Sequence, residues 1–233
     1  DRPFFLFRFG YARSYDLRGM YRSILFSFVL FAGTCFAQGG HHGPRIGLGM
    51  ATQTTGALFQ NSSNLRLAPV LGWYIEAPLH QQVGLLVEAL WLTKGSAYRN
   101  PAISNRTQNT YRYIEIPFLA KISTNKEPNG LFLLIGPSFG YLVSSRYKSW
   151  TNGVKIDDIK IDLTNSQRRF QFSGLAGIGL ESERMTFDVR AQTSLTPFDR
   201  LLRVQNVVYA VTVGYRFSTK KKEKDDALEE DNF

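Results

Sequence analysis

The sequence predicts an all-β fold, an eight-stranded antiparallel up-and-down transmembrane β-barrel, and three observations support this prediction. Aromatic residues make up 14% of the 233 residues, and there are 20 glycines. No run of about 18 apolar residues follows residue 40, which excludes a transmembrane helix from that part of the chain. Segments in which apolar and polar residues alternate fill the chain from residue 43 to residue 218. Strands with one apolar and one polar face are typical of outer-membrane barrels.

Eight alternating segments are the predicted strands, and each is about as long as a tilted strand that crosses a bilayer. They span residues 44–52, 66–77, 83–94, 110–123, 131–143, 168–181, 185–195 and 204–217. The long connections are 53–65, 96–109, 144–167 and 196–203, and the short ones are 78–82, 124–130 and 182–184. Because long and short connections alternate, we expect loops outside the cell and turns in the periplasm.

Every charge in the cleanest strands falls on one wall. In the last segment Val211 and Val213 share one face, whereas Thr212, Gly214 and Arg216 share the other. Glycines are also frequent on the polar wall, and small residues suit the crowded interior of a narrow barrel. These glycines are Gly47, Gly49, Gly72, Gly136, Gly140, Gly177, Gly179 and Gly214. The polar wall is therefore predicted to face inward.

Seven charged residues are predicted to face the lumen. An eight-stranded barrel has an interior that side chains just fill, and opposite charges there should pair, because an unpaired buried charge is costly. We expect a structural plug of ion pairs, and a gated ion path or a small-ligand site is the alternative. The residues are Glu76, Glu88, Glu115, Lys121, Asp188, Arg190 and Arg216.

Aromatic residues at strand ends on the apolar face are predicted to form girdles at the two membrane interfaces. They are Trp73, Trp91, Tyr141, Tyr209, Tyr215 and Phe217. The opposite arrangement is a soluble periplasmic barrel, similar to a lipocalin, that buries its apolar face around an apolar ligand. The aromatic strand ends and the glycine-rich polar wall favour the membrane.

The start of the chain resembles an exported precursor. Met20 begins a predicted secretory signal peptide, in which Arg22 supplies the positive charge, 24–36 the apolar region and Ala37 the small residue before cleavage at Gln38. The predicted division is 1–19 as a translated upstream segment, 20–37 as the signal peptide, 38–218 as the barrel and 219–233 as a disordered, charged periplasmic tail.

The one cysteine, Cys35, falls within the predicted leader. The mature chain would then have neither a disulfide framework nor a cysteine-based metal site. Lipidation of Cys35 is an alternative, although Thr34 precedes it and the expected leucine is missing.

Four stretches of the chain share a pattern with one family. They are YIEIPFLAK at 113–121, GPSFGYL at 136–142, GLAGIGLE at 174–181 and VGYRF at 213–217. In their order and spacing they resemble the PorT-like outer-membrane β-barrel family of Bacteroidetes. The resemblance implies an eight-stranded barrel with an N-terminal signal. The founding member is tied to type IX secretion and gliding, a role that likeness of fold does not transfer.

Neither an enzyme, a cofactor, a metal site nor a nucleic-acid partner is predicted. The formal charge of +9 comes without a recognisable nucleic-acid-binding module. His41 and His42 are expected to precede the first strand in a flexible segment, and His80 to lie in a periplasmic turn. A Ser-His device at the outer rim, as a lipid-modifying enzyme would need, is therefore not expected.

The longest connection, 144–167, carries Tyr147, Lys148 and Trp150 as candidates for contacts with lipopolysaccharide, a host surface or a partner. Residues 154–162 alternate, so this connection is also predicted to extend a hairpin beyond the membrane, and that extension without a partner is the alternative.

We therefore expect an integral outer-membrane protein with a structural or interaction role, acting through its extracellular loops or within an envelope complex. Its predicted partners are outer-membrane lipid, lipopolysaccharide and envelope proteins. The alternatives are a channel, transport or secretion-system component, a soluble lipocalin-like barrel and a lipid-modifying enzyme.

Overall fold

The computed structural model describes residues 40–54, 65–100, 104–126, 129–162, 167–199, 201 and 203–218. The predicted signal peptide and charged tail lie outside the described residues. The strands are β1 (His41–Thr54), β2 (Arg66–Pro78), β3 (Val83–Lys94), β4 (Ala97–Asn100), β5 (Asn105–Ser123), β6 (Gly130–Thr151), β7 (Val154–Lys160), β8 (Phe170–Glu181), β9 (Met185–Ser194), β10 (Gln205–Tyr215) and β11 (Phe217–Ser218). Within these ranges no helix is long and apolar enough to span a membrane.

Eight of the strands close into a ring. The order is β1, β2, β3, β5, β6, β8, β9 and β10, and β10 pairs back with β1, always antiparallel. Gly47 of β1, for example, lies between Val70 of β2 and Thr212 of β10. The predicted all-β, eight-stranded antiparallel barrel is confirmed.

The apolar face points outward and the charged face points inward. Along β1, Ile46 is 58% exposed and Leu48 61% exposed, whereas Arg45 is 1% exposed. This is the reverse of a soluble ligand-binding barrel, whose apolar wall would be inside. Along β8, ten residue steps from Phe170 to Leu180 correspond to about 34 Å of strand, or about 26 Å along the axis at a tilt of about 40°. That height matches the apolar band of an outer-membrane barrel.

The two ends of the barrel differ. One end, here called the turn end, carries the short turns, the beginning of β1 and the end of β10. The other, the loop end, carries the long connections. At the loop end β4, residues 105–110 of β5, 146–151 of β6 and β7 pair in that order as a four-stranded sheet beyond the ring. We call this four-stranded sheet the protruding sheet.

Three boundaries depart from the prediction. β1 begins at His41, so the expectation that His41 and His42 precede the strand in a flexible segment was wrong. They pair with the residues of β11, which continues β10. β5 and β6 are longer than predicted, and β4 was not predicted at all. Outside the membrane both faces of a strand meet water, so apolar alternation no longer marks where the ladder continues.

Candidate functional site

The lumen contains three layers of ionised side chains. The layer nearest the turn end joins Glu76, Lys121, Glu181 and Arg216. Lys121 Nζ lies 2.6 Å from Glu76 Oε1 and 2.5 Å from Glu181 Oε2. Arg216 Nη2 contacts the same two carboxylates, at 3.1 Å from Glu76 and 2.8 Å from Glu181. Each cation thus bridges both anions, which draws β2, β5, β8 and the end of β10 together.

The middle layer is a second closed set of two cations and two anions. Arg190 contacts Glu88 through Nη1 at 2.6 Å and Asp188 through Nε at 2.6 Å. Arg45 Nε lies 3.0 Å from Glu88 Oε1, and Arg45 also pairs with Asp188. The Thr212 hydroxyl donates to Asp188 at 2.9 Å. Every one of these side chains is buried.

The layer nearest the loop end is built on one ion pair. Lys94 Nζ lies 2.5 Å from Glu115 Oε1 and donates to Gln171 Oε1 at 2.8 Å. The other Glu115 oxygen accepts from the Ser138 hydroxyl at 2.7 Å and from Gln192 Nε2 at 2.5 Å. The carboxylate therefore has charged or polar partners on both oxygens, which offsets part of its cost of burial.

An aromatic ring fills the space beside a cation in each layer. Tyr74 lies under Arg45 at 4.9 Å, Tyr113 under Lys94 at 4.8 Å and Phe132 under Lys121 at 5.0 Å. All three rings are buried. The charges of each layer cancel, so the three layers carry no excess of one sign that would attract ions.

Six of the seven predicted lumen residues are buried, and the side chain of Glu76 is 12% exposed. The structure brings all seven into the three layers and adds Arg45, Lys94 and Glu181, which the prediction of lumen residues missed. The alternation of inward and outward positions along each strand could have identified them. Arg45 alternates in step with the inward glycines Gly47 and Gly49.

The predicted girdle residues separate into two levels of the apolar face. Trp73, Tyr215 and Phe217 lie toward the turn end, where Trp73 stacks on Phe217 at 6.2 Å and on His42 at 5.9 Å. Trp91, Tyr141 and Tyr209 lie nearer the loop end, as the register of their strands places them. All six are at least 40% exposed.

The three loop candidates are part of the protruding sheet rather than of an irregular loop. Tyr147, Lys148 and Trp150 lie on the far part of β6. Opposite them, on β7, stand Ile159, Asp158 and Lys155.

Positive charge dominates the loop end. Outside the lumen, eleven described residues there are basic and four are acidic. The basic ones are Arg66, Arg99, Arg106, Arg112, Arg146, Lys148, Lys155, Lys160, Arg168, Arg169 and Arg203, and the acidic ones are Asp157, Asp158, Asp162 and Asp199. This excess was not part of the sequence prediction, which considered the connections one at a time.

A recess of about 940 Å³ lies in the protruding sheet. Arg99 and Arg106 both line it and stand directly opposite each other on β4 and β5. The Arg106 guanidinium lies 5.5 Å from the ring of Trp150, and Tyr98 lines the same recess with 46% of its surface exposed. The recess therefore combines two guanidinium groups with two aromatic rings.

Metal chemistry has no candidate within the described ranges, where no group of three His, Cys, Asp or Glu side chains could hold an ion.

Residues 36–200 match the model of the family described as outer membrane protein beta-barrel domain. The chain belongs to this family. Membership places the barrel in the outer membrane. In barrels of this kind the long connections typically lie outside the cell. No curated protein sequence matches the chain.

Several solved outer-membrane proteins are similar to the chain at low identity. Ail of Yersinia pestis, in complex with the heparin analogue sucrose octasulfate, shows 12% identity and a TM-score of 0.43 over 76% of this chain and 99% of Ail. The Neisserial surface protein NspA shows 8% identity and a TM-score of 0.42 over 76% and 97%. OprG of Pseudomonas aeruginosa shows 11% identity and a TM-score of 0.41 over 77% and 96%.

Proposed function

We propose that this protein is a closed outer-membrane anchor that binds an anionic saccharide outside the cell through its protruding sheet. The observation that carries the proposal is the pair Arg99 and Arg106, held directly opposite each other beside Trp150. The proposal narrows the interaction role expected from the sequence to one surface and one ligand chemistry.

Two like charges directly across a strand pair are unfavourable by themselves. Arg99 and Arg106 nevertheless occupy such positions, and both are exposed. An anionic group placed between them would relieve the repulsion and accept hydrogen bonds from both guanidinium groups. The observed register is thus better suited to a bound sulfate, carboxylate or phosphate group than to an empty surface.

The aromatic rings favour a sugar as the carrier of that anionic group. Trp150 offers a flat apolar face on the side of the sheet that carries both guanidinium groups, and Tyr98, which also lines the recess, adds an exposed ring from the opposite side of β4. The surplus of positive charge around the recess would attract a polyanion from a distance.

The lumen supports an anchoring role rather than transport. Its three layers carry no net charge and pack against buried aromatic rings, whereas a channel needs a continuous polar path wide enough for water. Partners within the envelope would then bind the protein outside its lumen.

The finer assignment to the PorT-like branch is part of this proposal. The four stretches that carry the resemblance lie in β5, β6, β8 and across β10 and β11, and β5, β6 and β8 are neighbours in the ring. If a strain that lacks the gene still carries out type IX secretion, the protein does not share the role of the founding member, even if it belongs to the same branch.

Binding of fluorescent dextran sulfate and of neutral dextran to the protein in phosphatidylcholine nanodiscs tests the proposal. We expect the parent protein to bind only the sulfated polymer, and the double substitution R99E/R106E to weaken binding at least about tenfold, since two guanidinium contacts are lost. The matched control K126E/R184E makes the same change of charge at the turn end and should leave binding unchanged. Equal losses in both double variants would show that total charge, and not the recess, governs binding.

A further inference from the structure

A groove runs along the lipid-facing wall where β5, β6 and β8 lie side by side. It has a volume of about 610 Å³. Phe139 and Phe170 line it with 52% and 74% of their surfaces exposed, and Tyr141 with 40%. The rings contact each other in pairs, with centroids 5.0 Å apart for Tyr141 and Phe170 and 5.2 Å for Phe139 and Phe172. The groove is therefore an aromatic trough within the part of the wall that faces lipid.

Two arginines close the outer end of this groove. Arg168 and Arg169 both line it and directly precede Phe170, the first residue of β8. Arg168 lies two residues beyond Phe170, about 7 Å further outward along an extended chain. Phe170 is the first lipid-facing aromatic side chain of β8. We therefore expect Arg168 to lie at the level where the lipid headgroups begin.

The Arg168 guanidinium has an unmet requirement for a partner. Its Nε is buried and makes no hydrogen bond to any other residue that the structure describes, and an unpaired donor away from water carries a desolvation cost. Asp158, an acidic residue of the protruding sheet, forms ion pairs with Arg146, Lys148 and Lys155 and not with Arg168. An anionic group arriving from the lipid side would satisfy Arg168.

We propose that this groove binds a phosphorylated lipid of the outer leaflet, with an acyl chain along the aromatic rings and the phosphate on Arg168 and Arg169. A phosphate accepts several charge-assisted hydrogen bonds from guanidinium groups, and the rings provide apolar contact for the chain. A neutral lipid would cover the rings but leave the Arg168 Nε unpaired. The groove shares no residue with the recess of the protruding sheet, so this inference stands apart from the saccharide proposal.

Native mass spectrometry of the detergent-solubilised full chain tests the site, with bisphosphorylated lipid A and its dephosphorylated form as probes. The acyl chains of the two probes are the same, so the comparison isolates the phosphates. We expect the parent protein to retain the phosphorylated form preferentially. In R168A/R169A the ratio of phosphorylated to dephosphorylated lipid retained should fall about tenfold. The control K126A/R184A also removes two cations, but at the turn end, and should behave as the parent.

The aromatic part of the groove has its own test. F139A/F170A should lower retention of both lipid probes, because the chain contact is shared. F187A removes an exposed ring from β9, outside the groove, and should change neither. Unchanged retention of both probes by F139A/F170A would show that the acyl chain does not bind along these aromatic side chains.

Folding of each variant is checked by the shift of its gel mobility on heating. A salt titration of the parent protein gives a second readout that needs no substitution, and retention of the phosphorylated probe should fall as salt rises. Equal retention of the two probes by the parent, or equal retention by the parent and R168A/R169A, would mean that the groove holds only ordinary surrounding lipid and would overturn the proposal.

Discussion

At the scale of single residues, the charged lumen follows from the environment of the wall. Successive side chains of a strand point to opposite faces, and lipid requires apolar side chains such as Ile46 and Leu48 on the outer face. The inner face is then the place where polar side chains can find partners. Arg45, which directly precedes Ile46, contacts Glu88 and Asp188 there.

Substitution of Asp188 should be strongly destabilising, because Arg45 and Arg190 would keep only one shared carboxylate, that of Glu88. Breaking a buried ion pair typically costs about 3–5 kcal/mol. We expect D188N to lower the free energy of unfolding by about that amount, as measured by urea denaturation in lipid vesicles.

The matched control is Asp162→Asn at the loop end, where the carboxylate is exposed. This substitution should change the free energy of unfolding by no more than about 0.5 kcal/mol. A D188N protein as stable as D162N would show that the middle layer does not hold the barrel together.

Sequence parity was sufficient to place seven charges on one wall but not to say which would meet. The pair formed by Arg190 and Glu88 joins strands that are separated by 102 positions in sequence. Such a contact depends on the tilt and stagger of the closed ring, which no local pattern encodes. Glu181 was missed for a local reason, since it stands at the last residue of β8 beside a turn.

At the scale of elements, β5 and β6 are membrane strands that continue as a water-exposed sheet. The register of β5 with β6 shifts between Arg112 and Tyr113, close to Tyr111, the last residue of β5 that pairs with β3 before the protruding sheet begins. Within the barrel the alternation of apolar residues predicted the strands well. Beyond it, residues 105–109 are polar on both faces, and the predicted strand, which began at residue 110, did not include them.

Gly95 is the hinge between β3 and β4. Its φ is +125°, and a Cβ at this position would lie 2.2 Å from the carbonyl oxygen of Asn109. We expect Gly95→Ala to detach β4 from β5, and hydrogen exchange of the amides in 97–100 should accelerate at least about tenfold.

Gly153 provides the comparison for this change. Its φ is also positive, at +79°, but nothing lies within 4 Å of an added Cβ. Gly153→Ala should therefore disturb only its own turn between β6 and β7, with a cost of about 1–2 kcal/mol. Similar exchange of 97–100 in both variants would contradict the role of Gly95.

The hairpin of β6 and β7 should depend on pH through Asp158. A hydrogen bond from Lys155 and the charges of Arg146 and Lys148 hold the pKa of Asp158 below its ordinary value. A carboxyl group whose pKa is lower in the folded state stabilises that state above its unfolded pKa and loses this contribution as pH falls through the folded pKa.

Local opening of β7 should therefore rise when the medium is acidified below the ordinary aspartate range, as hydrogen exchange corrected for its intrinsic rate would record. The effect should be small, because the ion pairs are near the surface. Asp158→Asn should open more readily at neutral pH and lose this pH dependence. A parent hairpin whose opening is constant through the same range would disprove the contribution of Asp158.

At the scale of the whole molecule, the barrel has one orientation: apolar side chains face lipid, charges face the lumen, and the protruding sheet lies outside the membrane. Family membership and the closed ring of strands agree with this orientation. The three tryptophans of the chain sample its parts, with Trp73 toward the turn end, Trp91 toward the loop end of the wall and Trp150 in the protruding sheet.

Quenching of tryptophan fluorescence by brominated lipids therefore tests the central claim most directly. Three variants, each keeping one tryptophan and replacing the other two with phenylalanine, would be reconstituted in vesicles whose lipids carry bromine near the glycerol end of the acyl chain. We predict strong quenching of Trp73 and Trp91 and little quenching of Trp150. Quenching of Trp150, or none of Trp73 and Trp91, would contradict the orientation on which the lumen, the groove and the protruding sheet all depend.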